Sequence, residues 1–287
     1  MRVVVLVKMT KVIRGNPYRT DNLEALLNEK NLALAVNSYD LAALEEAQQL
    51  KELYGDVHIT AVTAGPESAV KALRVARGMG ADELIWLDRP AFAGGQEMEL
   101  ARLLAQEVSG RGFDLVLCGL KSDDVGTGMV GVALAGLLGV PAVTRAVNIG
   151  LQVGRGSLRV ERHVGKGNRE VVQCPLPAVV TVERSRQAPR YPGVARYLTA
   201  GKKIVQKDGA AGLQPVAAPV IPLETKKAQP RPKKIFIPDE NLSGADRMKM
   251  IMSGGMARKK KKKAQTQVSG SEQLYNFLLK HGFIERL

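Results

Sequence analysis

The sequence has 287 residues and a net charge of +14, with 45% hydrophobic and only 4% aromatic residues. This length suits one large domain or two small ones, and the low aromatic content favours an α/β protein built on a parallel sheet. The two cysteines, Cys118 and Cys174, exclude a disulfide framework and a cysteine metal site, so we expect a reducing, cytoplasmic environment. No apolar run approaches the ~20 residues of a membrane span, and strand-like sequence follows Met1 directly, so we expect a soluble protein without a targeting peptide.

The positive charge is concentrated in the last third of the chain. Residues 201–287 hold 18 Lys and Arg against 7 Asp and Glu, whereas residues 1–200 hold 24 against 21. A basic tail suggests contact with nucleic acid or anionic lipid. The basic run 258–263, however, has no interleaved aromatic residues for base stacking and lies in no nucleic-acid-binding motif, so a solvated linker is favoured.

Strands and helices alternate through the first half of the chain. The apolar patterns predict strands at 2–8, 57–62, 83–87 and 115–118, and helices between Asn37 and Gly55, at 67–79, at 96–108 and from Met129 to Leu138. Residues 10–37 interrupt this pattern as an excursion with a short helical piece near 23–27. The alternation predicts βαβ units with right-handed crossovers, and therefore a three-layer, mostly parallel, Rossmann-like sheet.

The join between the strand at 115–118 and the helix after it is suited to an anion. Gly126, Thr127 and Gly128 precede the helix, where the first amides have no internal partner and the helix dipole is positive. Ligands of parallel sheets lie at the carboxyl ends of the strands, near the switch point. The loops from Lys8 onward, at 64–66 and at 123–131 should converge there, and a nucleotide phosphate is the obvious ligand.

The glycines of this loop spell G-x-G-x-x-G at Gly126, Gly128 and Gly131. Alone the motif is a weak signal, and here it follows a late strand rather than the first. No acid lies about 20 residues beyond it to bind ribose hydroxyls, and no Walker lysine follows it. Two interpretations stay open: glycines that serve a tight turn and close helix packing, or a nucleotide bound mainly by backbone amides.

The sequence gives no sign of catalysis or metal binding. His58, His163 and His281 lie beside no plausible nucleophile, so a catalytic triad is not expected. Asp123 and Asp124 could bind a metal, but adjacent carboxylates in a loop more often form turns and caps. We therefore predict no catalytic residue and no metal ligand.

The pattern changes after Pro141. Antiparallel strands are predicted at 143–151, 158–163 and 170–173, followed by a buried strand at 176–182. Residues 189–201 are predicted as an exposed loop that is unusually apolar, which indicates either a partner surface or packing on its own domain; its apolar side chains are Tyr191, Val194, Tyr197 and Leu198.

The remainder of the chain is predicted as an arm. Residues 203–234 are rich in proline without periodicity and are typical of an extended linker. Ser269 and Glu272 have capping-box spacing before an apolar face of Leu274, Phe277, Leu278 and His281, so a terminal helix is predicted. We therefore expect a domain over residues 1–200 and an extended basic C-terminal arm over residues 201–287.

Four pieces of the sequence resemble the beta subunit of electron transfer flavoprotein. The opening VVVLVK resembles the first strand of that family, and Asn37-Ser38-Tyr39-Asp40 with its helix is similar to the family's Asn-Pro-Tyr-Asp segment. AVTAGP at 61–66 and the Thr127-Gly128 loop match in order and spacing. The stretch VERHVGKGNREVVQCPLPAVVT at 160–181 resembles the family signature, with Arg162 as its basic residue.

The chain also departs from the family's pattern. Ser38 replaces the usual proline, and Gly126 stands where the AMP-binding form commonly has glutamine. The signature normally has acidic residues after its basic position, where this chain has residues 165–168, Gly-Lys-Gly-Asn. The tail from 201 to 268 is longer and more basic than usual.

The resemblance implies an electron carrier rather than an enzyme. It implies an adenine-nucleotide-binding fold, a heterodimer with an alpha subunit that holds or shares the redox-active FAD, and AMP in this chain. It also implies flavin dehydrogenases, such as acyl-CoA dehydrogenase, as electron donors and a quinone reductase as acceptor. No nucleic acid and no integral membrane segment are expected.

Family positions transfer to this sequence residue by residue. They imply cofactor contacts at Leu6, Asn37, Ser38, Tyr39, Asp40, Ala64, Asp123, Asp124, Val125, Gly126, Thr127, Gly128, Met129, Val130, Gly131, Val132, Ala133 and Leu134. The loop at 189–198 corresponds to the family's anchor for partner dehydrogenases, and the terminal helix resembles the arm that wraps the alpha subunit.

Two alternatives remain. A bifurcating beta subunit would hold its own FAD, reduced by NADH, in the same pocket; its usual loop sequence matches 123–131 poorly, so Thr127-Gly128 favours AMP. A protein of another class, a nucleotide-binding regulator with a basic nucleic-acid-binding tail, would be a stable monomer whose nucleic-acid affinity falls steeply with salt.

Overall fold

The structure is a computed structural model that describes residues 1–13, 32–90, 96–152, 156–184, 188–209, 242–252 and 271–280. It divides into two units, Met1–Lys227 and Ala228–Leu287. Every strand of the described residues belongs to the first unit; these strands are β1 (Arg2–Leu6), β2 (Met9–Ile13), β3 (Leu32–Val36), β4 (His58–Gly65), β5 (Glu83–Asp88), β6 (Leu115–Gly119), β7 (Ala142–Leu151), β8 (Ser157–Gly165), β9 (Asn168–Pro175), β10 (Ala178–Val182) and β11 (Ile204–Asp208).

Seven α-helices are present among the described residues. Five belong to the first unit: α1 (Ser38–Tyr54), α2 (Val70–Met79), α3 (Glu97–Arg111), α4 (Val130–Leu138) and α5 (Val194–Thr199). The second unit contains α6 (Gly244–Met252) and α7 (Ser271–Lys280), of which α7 is the predicted terminal helix. None of the described helices combines the length and apolar character needed to cross a membrane.

Nine strands form the main sheet in the order β11-β5-β4-β1-β6-β10-β7-β8-β9, and β2 pairs with β3 in a separate two-stranded sheet. The seven strands from β11 to β7 are parallel, whereas β8 and β9 add an antiparallel hairpin at one edge. The predicted mixed architecture, a parallel sheet followed by antiparallel strands, is confirmed.

Residues of the central strands alternate between two cores. In β1, Val3 and Val5 pack into a core that includes apolar residues of α1 and α2, whereas Val4 and Leu6 pack into a core that includes residues of α3 and α4. Successive side chains of a strand point to opposite faces, so the helices lie in two layers around the sheet. The predicted three-layer α/β fold is therefore confirmed.

At β1, the order in which successive strands are added to the sheet changes from one side to the other. From β1 it runs outward on one side through β4 to β5, and after α3 it returns to β6 on the other side of β1. In parallel sheets such a switch point opens a crevice at the carboxyl ends of the two strands. The ends of β1 and β6 are therefore the first place to search for a ligand site.

Three sequence predictions need correction. Residues 9–13 and 32–36, predicted as an irregular excursion, form the β2–β3 hairpin; the helical piece predicted near 23–27 lies outside the described residues. Residues 194–199, predicted as loop, form α5, because Pro192 and Gly193 precede this helix rather than interrupt it. Residues 204–208, predicted as the start of the linker, pair with β5 as an edge strand.

Candidate functional site

A buried carboxylate joins the ends of the two strands at the switch point. Asp40, in the first turn of α1, accepts a hydrogen bond from the Lys8 backbone N–H at 2.8 Å and another from the Gly119 N–H at 3.0 Å. Lys8 lies just beyond β1, and Gly119 ends β6. Because Asp40 is 5% exposed, this pair of bonds fixes both strand ends from inside the protein.

The burial of Asp40 has an electrostatic consequence. Removal from water raises the pKa of Asp40 to about 7, although the hydrogen bonds from Asn37, Lys8 and Gly119 oppose this rise. Gly119 is required for the close approach, since a Cβ there would lie 2.3 Å from Asp40 Oδ1. The site thus contains a carboxyl group that titrates near neutrality.

Two neighbours of Asp40 hold the loop that follows β6. The Asn37 side chain donates to the Lys121 carbonyl at 3.0 Å and accepts from the Asp123 N–H at 3.1 Å. Ser38 donates from its backbone N–H and its hydroxyl to the Asp123 carboxylate at 2.8 and 2.9 Å. Asn37 occupies the N-cap position of α1, but its side chain makes no capping bond because the loop engages both of its polar atoms.

The loop is also fixed from within and from β1. The Lys8 ammonium contacts Asp124 Oδ1 at 2.7 Å, and the same oxygen accepts from the Val125 N–H. Burial opposes ionisation of Asp124, but the Lys8 ion pair and the hydrogen bonds outweigh it and lower the pKa. The Gly126 N–H donates to the Ser122 hydroxyl at 3.2 Å. Asp123 and Asp124 therefore act as loop-forming residues, as the turn interpretation predicts.

The glycines of the loop have separate roles. Gly126 and Gly128 have positive φ angles of 72° and 69°, which glycine adopts without strain. Gly131 packs α4 against the sheet, where a Cβ would lie 2.6 Å from Cys118 Sγ and 2.7 Å from Thr181 Cγ2. Within the described chain no side chain caps the N-terminus of α4, so its first amides are open to a ligand. Turn formation and an open anion site are thus compatible.

An aromatic and a cationic side chain pack together beside the loop that follows β6. The Arg184 guanidinium lies 4.6 Å from the centre of the Tyr39 ring, and its Nη2 is 3.6 Å from Asp123 Oδ1. Cation–π contact of this kind orients the guanidinium over the ring. Sequence reasoning missed Arg184 because it follows β10, about 145 residues along the chain from Tyr39, and no local pattern links the two.

The predicted cofactor residues fall into three groups by exposure. Leu6, Asn37, Tyr39, Asp40, Gly131 and Leu134 are buried. The half-buried group comprises Ser38, Ala64, Gly128, Val130 and Ala133. The exposed group comprises Asp123, Asp124, Val125, Gly126, Thr127, Met129 and Val132. Most of them surround the ends of β1 and β6, whereas Ala64 lies near the end of β4, the neighbour of β1 on the other side.

The Cys118 thiol, near the end of β6, is buried. Burial raises the pKa of the Cys118 thiol to about 12, so the thiol stays protonated. Cys118 belongs to the core that includes residues of α4. The described residues contain no cluster of three or more His, Cys, Asp or Glu side chains arranged to hold a metal ion.

The stretch at 160–181 forms the β8–β9 hairpin and β10. Arg162 Nη1 contacts Glu170 Oε2 at 3.2 Å across the hairpin, and its Nε and Nη2 bond to Thr144 in β7. The neighbouring Arg169 pairs with Glu161 at 2.7 Å. Cross-strand ion pairs thus exist although the turn carries Gly165-Lys166-Gly167.

The predicted partner-binding residues lie in and beside α5. Tyr191 is 95% exposed, and Val194 and Leu198 are exposed to 71% and 72%. Tyr197 is half-buried, so it contributes less to the outer surface. Three large apolar side chains on one short segment form an apolar patch of the kind that marks interaction sites.

Comparison with known proteins gives a consistent match. The family model for the electron transfer flavoprotein domain matches residues 25–212. The chain is 33% identical over 217 residues to the electron transfer flavoprotein subunit beta of Bacillus subtilis, covering 73% of this chain and 78% of that protein. It is 32% identical over 203 residues to the subunit of the same name from Thermoanaerobacterium thermosaccharolyticum, covering 71% and 76%.

Proposed function

This chain belongs to the electron transfer flavoprotein beta-subunit family, whose members carry electrons, and we propose that it acts in a heterodimer with an alpha subunit that holds or shares FAD. The matched region includes the switch-point loop, the β8–β9 hairpin and α5. The carrier role rests on this family match.

We propose that this chain binds AMP at the ends of β1 and β6. The observation that carries this proposal is the Asp40 bridge, which holds the Lys8 and Gly119 amides and so fixes the mouth of the crevice. The uncapped N-terminus of α4 and its dipole suit a phosphate, and no cationic side chain is needed there. AMP carries one phosphate and one base, which matches an anion site beside an apolar strand end.

The roles of the proposed contacts follow from their bonding. Asn37 and Asp40 have their polar atoms engaged by backbone groups, so they shape the site rather than reach a ligand. The exposed and half-buried backbone of residues 123–133 would supply the nucleotide contacts, with Leu6 and Ala64 at the neighbouring strand ends. Specificity would therefore depend on backbone shape more than on side-chain identity.

Electron donors and acceptor complete the proposal. The apolar patch of Tyr191, Val194 and Leu198 would dock flavin dehydrogenases of the acyl-CoA dehydrogenase type, with Tyr197 supporting it from its half-buried position. Electrons would pass through the FAD shared with the alpha subunit to a quinone reductase. The separation of the proposed nucleotide site at the ends of β1 and β6 from the exposed apolar patch beside α5 supports this assignment of roles.

The test is to identify the nucleotides of the heterodimer. The chain is co-expressed with an alpha subunit, purified, denatured, and its released nucleotides are measured by mass. We expect one AMP and one FAD per heterodimer. Two FAD per heterodimer, with direct reduction by NADH, would establish the bifurcating form instead.

A substitution in the loop tests whether the loop binds the AMP. Gly128→Val places a β-branched residue at a positive φ, so we expect the heterodimer to retain FAD and lose AMP. Unchanged AMP in this variant would remove the loop from the site. A flavin-free monomer that bound DNA tightly at physiological salt would overturn the whole proposal.

A further inference from the structure

Residues 189–198, the partner-docking segment, combine exposed side chains with a fixed backbone. Tyr191 is almost fully exposed, yet the residues on both sides of it, Arg190 and Pro192, contact helices of the domain. An exposed apolar segment of this length gains little from its own packing. Its conformation must therefore be set by the contacts that it makes with the domain beneath it.

Arg190 supplies most of that inner contact. Its Nε and Nη2 donate to the two oxygens of Glu45 at 2.9 and 2.8 Å, and its backbone N–H donates to Glu45 Oε2 at 3.1 Å. The same guanidinium reaches Glu52, with Nη2 donating at 3.1 Å and Nη1 also in contact. Glu45 and Glu52 lie two turns apart on α1, so one side chain bridges both acids.

The two carboxylates favour an arginine over another cationic residue at position 190. The hydrogen bonds from Arg190 lower the pKa of Glu45 to about 2, although partial burial opposes this shift. Without Arg190, the repulsion between the charges of Glu45 and Glu52 on α1 would have no cation to offset it. Lysine can replace this contact only in part, because a point charge has no planar fork for two carboxylates.

A second contact fixes the residues that follow. The Gly193 N–H donates to the Gly78 carbonyl at 3.0 Å in α2, and a Cβ on Gly78 would lie 2.5 Å from Pro192 Cβ. The Tyr197 N–H then bonds to the Gly193 carbonyl as α5 begins. The direction of α5 is thus set by residues 190–193, directly before the apolar patch.

We propose that Arg190 is a positioning residue for partner docking: by bridging Glu45 and Glu52 it holds Tyr191, Val194 and Leu198 in the arrangement that a partner binds. This inference rests on the proposed function of the segment. A segment that is already ordered loses less conformational entropy on binding, so removal of Arg190 weakens docking without removing any docking side chain.

The experiment uses the heterodimer with the variants Arg190→Ala, Arg190→Lys, Glu45→Gln and Gly78→Ala. Gly110→Ala in α3 is the control, since a Cβ there meets no atom within 4 Å. Hydrogen exchange is measured by mass spectrometry on peptides that contain the Gly193 and Tyr197 amides. Electron transfer is measured with the member of a panel of acyl-CoA dehydrogenases that reduces the unmodified heterodimer fastest.

We expect faster exchange at these amides in all four variants and unchanged exchange in the Gly110→Ala control. For Arg190→Ala we expect a rise of about tenfold in the KM for the heterodimer with kcat unchanged, and a smaller rise for Arg190→Lys. Reduction of the FAD by dithionite should be unaffected. A purely structural role would instead lower the amount of folded heterodimer while leaving its KM unchanged.

The outcomes separate this inference from the proposed function. If Leu198→Ala raises KM while Arg190→Ala changes neither KM nor exchange, the segment docks the partner and the positioning role is wrong. If no dehydrogenase reduces the unmodified heterodimer, the proposed function fails and the docking role of Arg190 fails with it. The exchange measurement would then still show whether Arg190 orders the segment.

Discussion

The switch-point loop and the docking segment use their side chains in opposite directions. At the switch point, Asn37 and Asp40 at the start of α1 and Asp123 of the loop bond inward to backbone and neighbouring groups, and the glycine-rich backbone of the loop remains open outward. In the docking segment, Tyr191 and Leu198 point outward, and Arg190 alone makes the inward ionic contact. One region presents a backbone shape, and the other presents apolar side chains.

This difference predicts how each region responds to substitution. A loop that binds through amides is sensitive to any change that moves its backbone, even at buried positions distant from the ligand. In a docking segment that binds through exposed side chains, a substitution changes the free energy of unfolding only slightly but lowers the affinity for the partner directly. Three sets of variants test this contrast.

The largest effect is expected from Asp40→Asn. Burial raises the pKa of Asp40 from its ordinary 3.8 to about 7. Because the folded pKa is the higher one, the stability contributed by this group is fully present below about pH 4 and lost as the pH rises through about 7. The change is on the order of 4 kcal/mol. We expect the urea-derived difference in unfolding free energy between the variant and the unmodified chain to change by about that amount between pH 4 and pH 8.

Glu46 provides the matched control for this variant. It is buried on α1, away from the strand ends, and burial likewise raises its pKa to about 7. Glu46→Gln should therefore remove a pH dependence of the same sign while nucleotide content stays unchanged. Asp40→Asn should also lose nucleotide, since an amide cannot accept from both Lys8 and Gly119. Equal nucleotide content in the two variants would contradict the strand-bridging role.

A smaller effect is expected for two glycines of the same helix. Gly131→Ala forces a methyl group against Cys118 and Thr181, and overpacking of this kind costs about 1–3 kcal/mol. Gly136→Ala meets no atom within 4 Å and should stabilise α4 by up to about 1 kcal/mol. The free energy of unfolding and the nucleotide content of both variants are measured together. Loss of nucleotide from both variants alike would mean that the position of α4 does not determine binding.

Much of the fold was predictable because its signals are local. The strands at the centre of the sheet are short, mostly apolar runs, and the helices around them end at glycines such as Gly55, Gly80 and Gly139. The hairpin of β2 and β3 was missed because residues 14–31 separate its strands, too long a gap for a turn pattern. The strand at 204–208 was missed because its pairing with β5 is a tertiary contact of an edge strand.

The candidate site was predictable in position but not in bonding. The alternation of strands and helices and the glycines of residues 126–131 located the loop, since ligands of parallel sheets lie at the carboxyl ends of the strands. The bridge from Asp40 to Gly119 spans 79 residues, and the contact of Arg190 with Glu45 spans 145. Nothing in a single sequence links such residues, because their proximity depends on the packing of α1 against the sheet.

The smallest effect on stability is expected in the docking segment, where the contrast is sharpest. Leu198 is 72% exposed and Leu53, near the end of α1, is 71% exposed, so both can be replaced by alanine with a change in unfolding free energy within about 0.5 kcal/mol. Only Leu198→Ala should weaken electron transfer from a dehydrogenase, by about tenfold or more in KM, because anchors of an interface carry most of its binding energy. If Leu53→Ala weakened transfer equally, exposure alone rather than position on α5 would explain the loss. The docking surface would then extend along α1, and Arg190 would lie at its centre instead of behind it.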